Sequence, residues 1–427
     1  MSSTAPGVVV VGAGIAGTAA ALAAAESLVQ VTVVDGGPGS STLATGALDE
    51  TPWTLDGTTL EGRAESARTR ELAAGARRVL DALGAYVVTE RAAWLLTTGG
   101  ILRPARGRDA ALFDAGPLTD RPIGVVRCAR PGWDAQGLAR AWGAAYIPLD
   151  AVTLRHVDER AIPDADFAAR HDDENRLGWL SERLREALAN ASAGHAIAGL
   201  VLPPSLGVDR ARAEELTRRV GLPCGEALAM PAGPPGLRFE RARDRALSTA
   251  GVRRVLARAS AVERAGPAGG PGWRIALEDG ASLGADALVF ATGGLLGGGI
   301  EYVPSETLLA AALPLRSSAP LRTSLDAPLE LGAGGRPLEI PGSLFGLAPE
   351  QIAWPFSPNG LLARAGVLVS GEGRCVGAPP GLFAAGELVA DAPRTWLRAL
   401  IDGAIAGHAA AAATSEASPA RGPSSRP

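Results

Sequence analysis

The chain begins with two apolar segments separated by a glycine-rich turn. Residues 8–11 are four consecutive valines, a β-branched run typical of a parallel strand that is covered on both faces. Residues 12–17 interrupt this run with glycines, and the alanine-rich residues 18–28 favour a helix. Residues 29–34 predict a second buried strand, which ends at Asp35. The pattern therefore predicts a β-α-β unit at the start of the chain.

Apolar residues elsewhere recur at helical or strand spacing. Residues 63–83 and 173–193 predict amphipathic helices, because leucine, alanine and valine return every three or four positions. Further helices are predicted over residues 241–251 and 396–413, and strands over residues 252–264, 273–278, 287–291, 366–369 and 382–385. Residues 36–60 have the composition of a loop. Residues 86–170 mix short apolar runs with proline and glycine, and they predict no clear order of elements.

Composition narrows the possible chemistry. The 427 residues are 47% hydrophobic and 20% charged, which favours a packed globular protein of about two domains. All 41 basic residues are arginine. The absence of lysine excludes Walker-A nucleotide hydrolysis, pyridoxal-phosphate enzymes and lysine Schiff-base mechanisms, since each needs an ε-amine. The net charge of -4 gives no basic footprint for nucleic acid.

Cysteine and histidine are too few and too dispersed to predict a metal site. The three cysteines (Cys128, Cys224 and Cys375) have no CxxC spacing, and the four histidines (His156, His171, His195 and His408) form no HExxH motif. We therefore expect no metal ion or iron–sulfur cluster in this chain, and a reducing cytoplasm as its location. The sequence indicates no catalytic acid or base.

An uncharged stretch over residues 7–25 has two interpretations. Its length is close to that of a membrane span, and its position is that of a signal peptide. However, no basic residue precedes it, and it contains a regular glycine pattern. A buried strand, turn and helix is the favoured interpretation.

The turn between the first strand and helix has the spacing of a dinucleotide-binding motif. Gly12, Gly14 and Gly17 give GxGxxG, with Ala13, Ile15 and Ala16 between them. The first glycine permits a tight turn, the second lets the backbone approach a pyrophosphate, and the third lets helix and strand pack closely. Asp35 follows at about the offset expected for an acid that binds an adenosine ribose. FAD and NAD are both compatible with this segment alone.

A second set of motifs resembles the flavoproteins of the fumarate-reductase and aspartate-oxidase group. Gly381-Leu382-Phe383-Ala384-Ala385-Gly386-Glu387, before an alanine-rich helix, is similar to their second FAD motif, and Ala291-Thr292-Gly293-Gly294 is similar to their strand-end ATGG. The resemblance implies that Glu387 hydrogen-bonds the flavin ribityl chain and that Gly386, which precedes it, also belongs to the cofactor site. It also implies that the next helix points its N-terminus at the isoalloxazine, whose reduced form carries negative charge. Thr292 and Gly293 are cofactor-binding candidates by the same resemblance.

A more specific resemblance covers nearly the whole chain. Residues 39–49, with Ser40, Ser41, Thr42, Gly46 and Ala47, look like the serine-rich flavin loop of the B-type subunits of anaerobic glycerol-3-phosphate dehydrogenases. Residues 221–226 and 235–238 are similar to that family's GLPVGE and PGxR stretches. The resemblance implies that Arg238 binds a substrate oxyanion, because guanidinium binds phosphate and carboxylate bidentately. The family is described as binding FMN, whereas Asp35 favours FAD, so FAD is expected and FMN is the alternative.

These motifs predict an α/β protein with a Rossmann-like, doubly wound FAD-binding domain that is discontinuous in sequence and carries an inserted cap or substrate domain. The expected limits are residues 1–60, 235–300 and 365–413 for the FAD-binding domain, 61–234 and 301–364 for the cap, and 414–427 for a disordered tail.

The expected function is that of a flavin-dependent oxidoreductase. The resemblance implies the B-type subunit of an anaerobic glycerol-3-phosphate dehydrogenase, which passes electrons to quinone through an iron–sulfur partner. It also implies assembly with a second flavoprotein subunit, and membrane contact at the inner face only through a partner. Two alternatives remain: a stand-alone FAD oxidoreductase of another small oxyanion, since residues 99–108 differ from the family pattern, and a non-catalytic flavin-binding scaffold.

Overall fold

The structure is a computed structural model, and it describes residues 7–49, 67–118, 121–191, 196–228, 231–265, 272–302, 321–337 and 364–417. Of the four histidines, His195 lies outside these ranges. Most of the expected cap segment 301–364 and residues 418–427 of the expected tail also lie outside them.

The helices of these residues, in chain order, are α1 (Ile15–Ala25), α2 (Ala67–Leu83), α3 (Ala135–Trp142), α4 (Asp164–Ala169), α5 (Glu174–Ala191), α6 (Ala213–Val220), α7 (Pro234–Thr249) and α8 (Trp396–Ala417). None of the helices in the described ranges is long and apolar enough to cross a membrane.

The strands of the first half are β1 (Val8–Val11), β2 (Val31–Asp35), β3 (Ala47–Leu48), β4 (Tyr86–Leu96), β5 (Leu102–Asp109), β6 (Ile123–Val126), β7 (Tyr146–Leu149), β8 (Gly199–Leu202) and β9 (Cys224–Glu226). Those of the second half are β10 (Arg253–Leu256), β11 (Ala259–Arg264), β12 (Trp273–Leu277), β13 (Ser282–Ala285), β14 (Ala287–Phe290), β15 (Ile300–Tyr302), β16 (Leu321–Thr323), β17 (Leu331–Ala333), β18 (Arg336–Pro337), β19 (Gly366–Val367) and β20 (Leu382–Ala384).

The chain divides into two compact units. Unit 1 comprises Met1–Ser40, Gly62–Val79 and Ala246–Pro427, and unit 2 comprises Ser41–Glu61 and Leu80–Arg245. The sequence groups residues 41–60 and 235–245 with the FAD-binding domain, and residues 301–364 with the cap. Where the structure describes these segments, residues 41–49 and 235–245 belong to unit 2 and residues 321–337 to unit 1, and the assignment of segments to an FAD-binding domain and a cap stays a prediction.

Unit 1 is built on a parallel sheet with the strand order β10-β2-β1-β14-β20. Its central strands β1 and β14 are buried at every residue, which explains why they consist of aliphatic and aromatic side chains without alternation. Three smaller sheets accompany it, with the orders β11-β12-β13, β15-β16 and β18-β17-β19. The expected Rossmann-like α/β fold is therefore confirmed.

Helices α1 and α8 pack closely against each other in unit 1. A side chain at Gly403 or Gly407 of α8 would overlap the backbone of Ala16 or Ala20 of α1, respectively. The alanine-rich sequences of both helices serve this contact, because small residues let two helix backbones approach. Helix α8 extends to Ala417, four residues beyond the predicted end at residue 413.

Unit 2 contains a second parallel sheet, with the order β7-β6-β8-β9. The chain runs from β6 through α3 to β7 on one side, and then returns to β8 on the other side of β6. This reversal makes the second sheet doubly wound as well. An antiparallel sheet with the order β3-β5-β4 completes the unit.

Candidate functional site

The sequence motifs of unit 1 meet at one edge of its parallel sheet. The carboxyl ends of β1, β2, β14 and β20 lie side by side. Strands β1, β14 and β20 lead into Gly12, Ala291 and Ala385, respectively, and β2 ends at Asp35. In open α/β sheets, ligands bind in the crevice outside the carboxyl ends of the strands. This edge is therefore the candidate cofactor site.

Gly12 occupies a position that only glycine fits. Its φ of +108° is unfavourable for other residues, and an added Cβ would overlap the carbonyl oxygen of Ala291. A Cβ at Gly17 would in turn overlap the carbonyl oxygen of Gly12. The turn is thus closed tightly against both the neighbouring strand and the following helix, as the GxGxxG motif predicts.

The N-terminus of α1 is suited to bind phosphate. Its N-cap is Gly14, which has no side chain to cap the amides, and its first turn contains no acidic residue. Ile15 and Ala16 are buried and anchor this first turn. The positive end of the helix dipole is therefore not compensated by a carboxylate of its own helix, which favours a bound anion.

Asp35 is buried at the end of β2 and is held by three donors. Its Oδ1 accepts from the amide of Gly37 at 3.0 Å, and its Oδ2 accepts from Nε and Nη2 of Arg254 at 2.9 and 2.6 Å. Arg254 lies on β10, which pairs with β2. The acid predicted for the adenosine ribose is thus an oriented, ion-paired carboxylate.

Glu387 lies in a short 3₁₀ helix, Gly386–Leu388, that follows β20. Gly386 has a φ of +72°, and an added Cβ there would press on Ala16 of α1. The hydroxyl of Ser40 donates to Oε2 of Glu387 at 3.3 Å. Two residues that are distant in sequence are therefore brought together at the cofactor edge, as the family motifs imply.

The loop after β14 is also confined by glycine. Gly293 has a φ of +84°, and an added Cβ at Gly294 would lie 2.9 Å from Nη1 of Arg394. Burial lowers the pKa of Arg394, and the nearby carboxylates of Glu387 and Asp391 oppose this shift. Thr292 lies in the same loop, where its Oγ1 leaves no room for a Cβ at Gly299.

The remaining predicted cofactor residues belong to unit 2. Ser41 and Thr42 are part of a 3₁₀ helix, Ser40–Leu43, and a Cβ at Gly236 would overlap the Thr42 carbonyl. Gly46 has a φ of +94°, and an added Cβ there would lie 2.9 Å from Cβ of Asp109. Ala47 begins β3, which pairs with β5. Their assignment to the cofactor stays a prediction.

Arg238 is completely buried, with a side-chain exposure of 0%. Its Nε donates to Asp109 at 2.9 Å, its Nη2 to Glu226 at 2.7 Å, and its Nη1 to the carbonyl of Gly207 at 2.7 Å. Both carboxylates are themselves inaccessible to solvent. This arrangement favours a structural role for Arg238 within unit 2, and its predicted contact with substrate is without support from its surroundings.

A cavity of about 460 Å³ opens in unit 2 beside its parallel sheet. Its lining comes from the segments that follow β6 and β7 and from the start of α3, so it lies at the carboxyl edge of these strands. Arg127, Arg160 and Gln136 provide its donor groups, and Trp133 contributes an aromatic wall. The Asp134 carboxylate also lines the cavity, where its Oδ1 accepts from the amides of Gln136 and Gly137 at the start of α3. Oxyanion recognition is the chemistry that the donor groups favour.

Sequence reasoning missed several polar residues of functional or structural importance. Arg254 falls within one long predicted strand over residues 252–264, whereas the structure has β10 and β11 there, in different sheets. Asp109 lies in residues 86–170, whose order the apolar pattern did not reveal, and Glu226 ends the GLPVGE-like stretch, in which the sequence assigned it no role. Within the described ranges, no cluster of three or more His, Cys, Asp or Glu could hold a metal ion.

Comparison with known families identifies the first part of the chain. Residues 7–124 match the FAD binding domain family. The matched segment contains the GxGxxG turn, the start of α1 and Asp35. No curated protein is similar enough in sequence to match the chain.

Several solved structures are similar to the chain at low identity. The 3-ketosteroid Δ1-dehydrogenase from Sterolibacterium denitrificans is 12% identical, with 95% of this chain and 99% of that chain covered and a TM-score of 0.41. A flavocytochrome c3 fumarate reductase in its open conformation is 12% identical, with 96% and 78% covered and a TM-score of 0.39. Iminodiacetate oxidase from Chelativorans sp. BNC1 is 15% identical, with 97% of each chain covered and a TM-score of 0.32. These similarities are too weak to indicate a substrate.

The fold, the glycine turn and the matched domain define the class of protein, an FAD-binding protein with a Rossmann-like α/β fold. The cofactor of this class of domain is FAD, as the sequence predicted, and the match gives no support to FMN. The residues at the carboxyl edge of unit 1 fit FAD. Gly12 and the N-terminus of α1 would form a cradle for pyrophosphate, and Asp35 would accept from ribose hydroxyls.

Proposed function

We propose that this protein is the B-type flavoprotein subunit of an anaerobic glycerol-3-phosphate dehydrogenase, which oxidises glycerol 3-phosphate and passes the electrons toward quinone through an iron–sulfur partner. The observation that supports flavin-dependent redox activity is the convergence of Gly12, Asp35 and Glu387 at the carboxyl edge of one parallel sheet. The resemblance of residues 39–49, 221–226 and 235–238 to that family supports the substrate.

The chain's own residues would bind and orient the cofactor. The amides at the N-terminus of α1 would donate to the pyrophosphate, Asp35 would accept from the adenosine ribose, and Glu387 would accept from the ribityl hydroxyls. Bound FAD would supply the hydride acceptor that this chemistry needs. The side chains do not need redox chemistry of their own, which is consistent with three separate cysteines that are all buried.

A small oxyanion is the substrate class that we propose. The cavity of unit 2 supports this choice, because Arg127 and Arg160 line it and guanidinium groups recognise phosphate and carboxylate. The ion pair of Arg127 with Asp150 at 3.1 Å is exposed, so an anionic ligand competes with a weak interaction there.

The partners that we propose are a second flavoprotein subunit and an iron–sulfur subunit, with the latter reaching a membrane quinone. Copurification of the tagged chain with these two subunits from its own host would support this assembly. Isolation of an active protein that reduces an artificial acceptor alone would favour a stand-alone oxidoreductase.

Anaerobic reduction of bound flavin tests the proposal. We expect that glycerol 3-phosphate, but not glycerol, bleaches the flavin absorbance of the FAD-loaded protein, and that Arg160→Ala slows the bleaching. Arg264→Ala, at an exposed position of β11 outside the cavity, is the matched control. Bleaching by another oxyanion alone would replace glycerol 3-phosphate as the substrate. If no small oxyanion bleaches the flavin with or without the partner subunits, the chain is a flavin-binding scaffold.

A further inference from the structure

Strand β10 places an arginine beside the acid that ends β2. The two strands are parallel neighbours, with Arg254 opposite Val33 and Leu256 opposite Asp35. Val33 and Asp35 are two residues apart, so their side chains share one face of the sheet with that of Arg254. The guanidinium therefore reaches along this face to the carboxylate at the strand end.

The contact fixes the orientation of the Asp35 carboxylate. Nε and Nη2 of Arg254 both donate to Oδ2, and the amide of Gly37 donates to Oδ1. The side chain of Asp35 is 3% exposed and that of Arg254 is 29% exposed. Donors on both oxygens oppose rotation of the carboxylate, and the charge-assisted bonds are among the stronger hydrogen bonds in proteins.

A buried carboxylate needs such a partner to keep its charge at low cost. The adenosine ribose offers hydroxyl groups as donors, and an acceptor that is already oriented binds them with a smaller entropic penalty. FMN lacks the adenosine half, so this acceptor contributes nothing to FMN binding.

We infer that Arg254 is a positioning residue that holds Asp35 for the adenosine ribose and thereby makes the site select FAD over FMN. The inference rests on FAD as the cofactor. Arg254 is not assigned a contact with the flavin ring or a part in the reaction.

Binding of ADP to the flavin-free protein measures the adenosine half by itself. In isothermal titration we expect Arg254→Gln to weaken ADP and FAD binding by up to about tenfold, because the freed carboxylate must then be ordered when the ribose binds, while FMN binding is unchanged. Arg254→Lys should restore part of the affinity. Arg253→Gln is the matched control, because Arg253 is the exposed preceding residue of the same strand. It should leave ADP binding unchanged.

A double-mutant cycle separates positioning from direct binding. If Arg254 acts through the acid, Arg254→Gln combined with Asp35→Asn should bind ADP no more weakly than Asp35→Asn alone. Additive losses would overturn the inference, as would unchanged ADP binding in Arg254→Gln or a parallel loss of ADP and FMN binding. In each of these cases FAD binding by the wild-type chain keeps the cofactor assignment intact. Failure of the wild-type chain to bind FAD would overturn both the inference about Arg254 and the assignment of FAD as the cofactor.

Discussion

Arg238 of α7 and Glu226 of β9 form an ion pair from which solvent is excluded. Nη2 of Arg238 donates to Oε2 of Glu226 at 2.7 Å, and neither side chain is exposed. Burial raises the pKa of Glu226, and the adjacent guanidinium opposes this shift. Glu226 also accepts from the amides of Ser205 and Leu206, so the pair links α7, β9 and the segment after β8 within unit 2.

Removal of Arg238 should therefore destabilise unit 2. Arg238→Ala leaves the carboxylates of Asp109 and Glu226 buried without their cation, and breaking such a pair costs about 3–5 kcal/mol. The free energy of unfolding, measured by urea denaturation, should fall by this order. Arg241→Ala, one turn further along α7, removes an exposed arginine with a 3.6 Å contact to Asp209 and should change it by less than about 1 kcal/mol.

The same variants distinguish a structural arginine from a substrate clamp. If Arg238→Ala retained the stability of the wild-type protein and raised only the KM for an oxyanionic substrate, the structural role would be wrong. The family resemblance identified Arg238 as a notable residue, but it did not predict that the side chain is enclosed.

The part of the site that sequence could predict is local in the chain. The four valines, the glycines from Gly12 to Gly17 and the acid at Asp35 follow one another within a single β-α-β unit, so their spacing alone reports their geometry. The contact between Asp35 and Arg254 joins residues 219 positions apart. It depends on the pairing of β10 with β2, which no local pattern encodes.

The second parallel sheet was missed for a related reason. Its strands β6, β7 and β8 are four residues each, too short for a periodic pattern. Two of them, β6 and β8, pair across more than one intervening helix. Burial on both faces also removes the alternation that marks a strand, because all four residues of β6 and of β8 are buried.

His171 predicts a loss of stability in weak acid. Burial, aided by the positive charge of Arg176, lowers the pKa of His171 from 6.5 to about 4. His171 therefore binds a proton near pH 6.5 in the unfolded chain but only near pH 4 in the folded protein. Because the unfolded state binds more protons between these values, the free energy of unfolding falls as the pH drops from about 6.5 to about 4. The loss attributable to this group is about 3 kcal/mol.

Comparison with a variant isolates this contribution. His171→Gln cannot titrate, so its free energy of unfolding should decline less than that of the wild-type protein between about pH 7 and about pH 4.5 in urea denaturation. His156→Gln serves as the control, because His156 is exposed. Equal declines in the wild-type protein and in His171→Gln would show that other groups cause the acid sensitivity.

Substitution of a glycine in the GxGxxG turn should remove the cofactor, whereas substitution of a glycine elsewhere in the chain should not. Gly12→Ala places a Cβ against the carbonyl of Ala291 and strains a φ of +108°, so the purified variant should contain little or no FAD by its visible absorbance. Gly75→Ala is the matched control: it lies inside α2 and an added Cβ meets nothing within 4 Å.

The control variant Gly75→Ala should itself increase the stability of the protein. Alanine is a better helix former than glycine by about 0.5–1 kcal/mol, so Gly75→Ala should raise the thermal unfolding temperature and leave the FAD content unchanged. Full FAD occupancy in Gly12→Ala would mean that the turn does not approach the pyrophosphate.

The contact between Ser40 and Glu387 predicts that a substitution at Ser40 weakens binding of the flavin half of the cofactor. This half is opposite to the adenosine that Asp35 is expected to bind. The hydroxyl of Ser40 holds the Glu387 carboxylate at 3.3 Å, and Glu387 is the acid that the family motif assigns to the ribityl chain. Because FAD and FMN share that chain, Ser40→Ala should weaken both by a similar factor, on the order of tenfold or less for one hydrogen bond. ADP binding should be unaffected.

Ser260→Ala, which removes an exposed hydroxyl that donates to Ala276, is the control. A loss confined to FAD in fluorescence titration would contradict the assignment, because it would place the Ser40–Glu387 contact at the adenosine half instead of the flavin half.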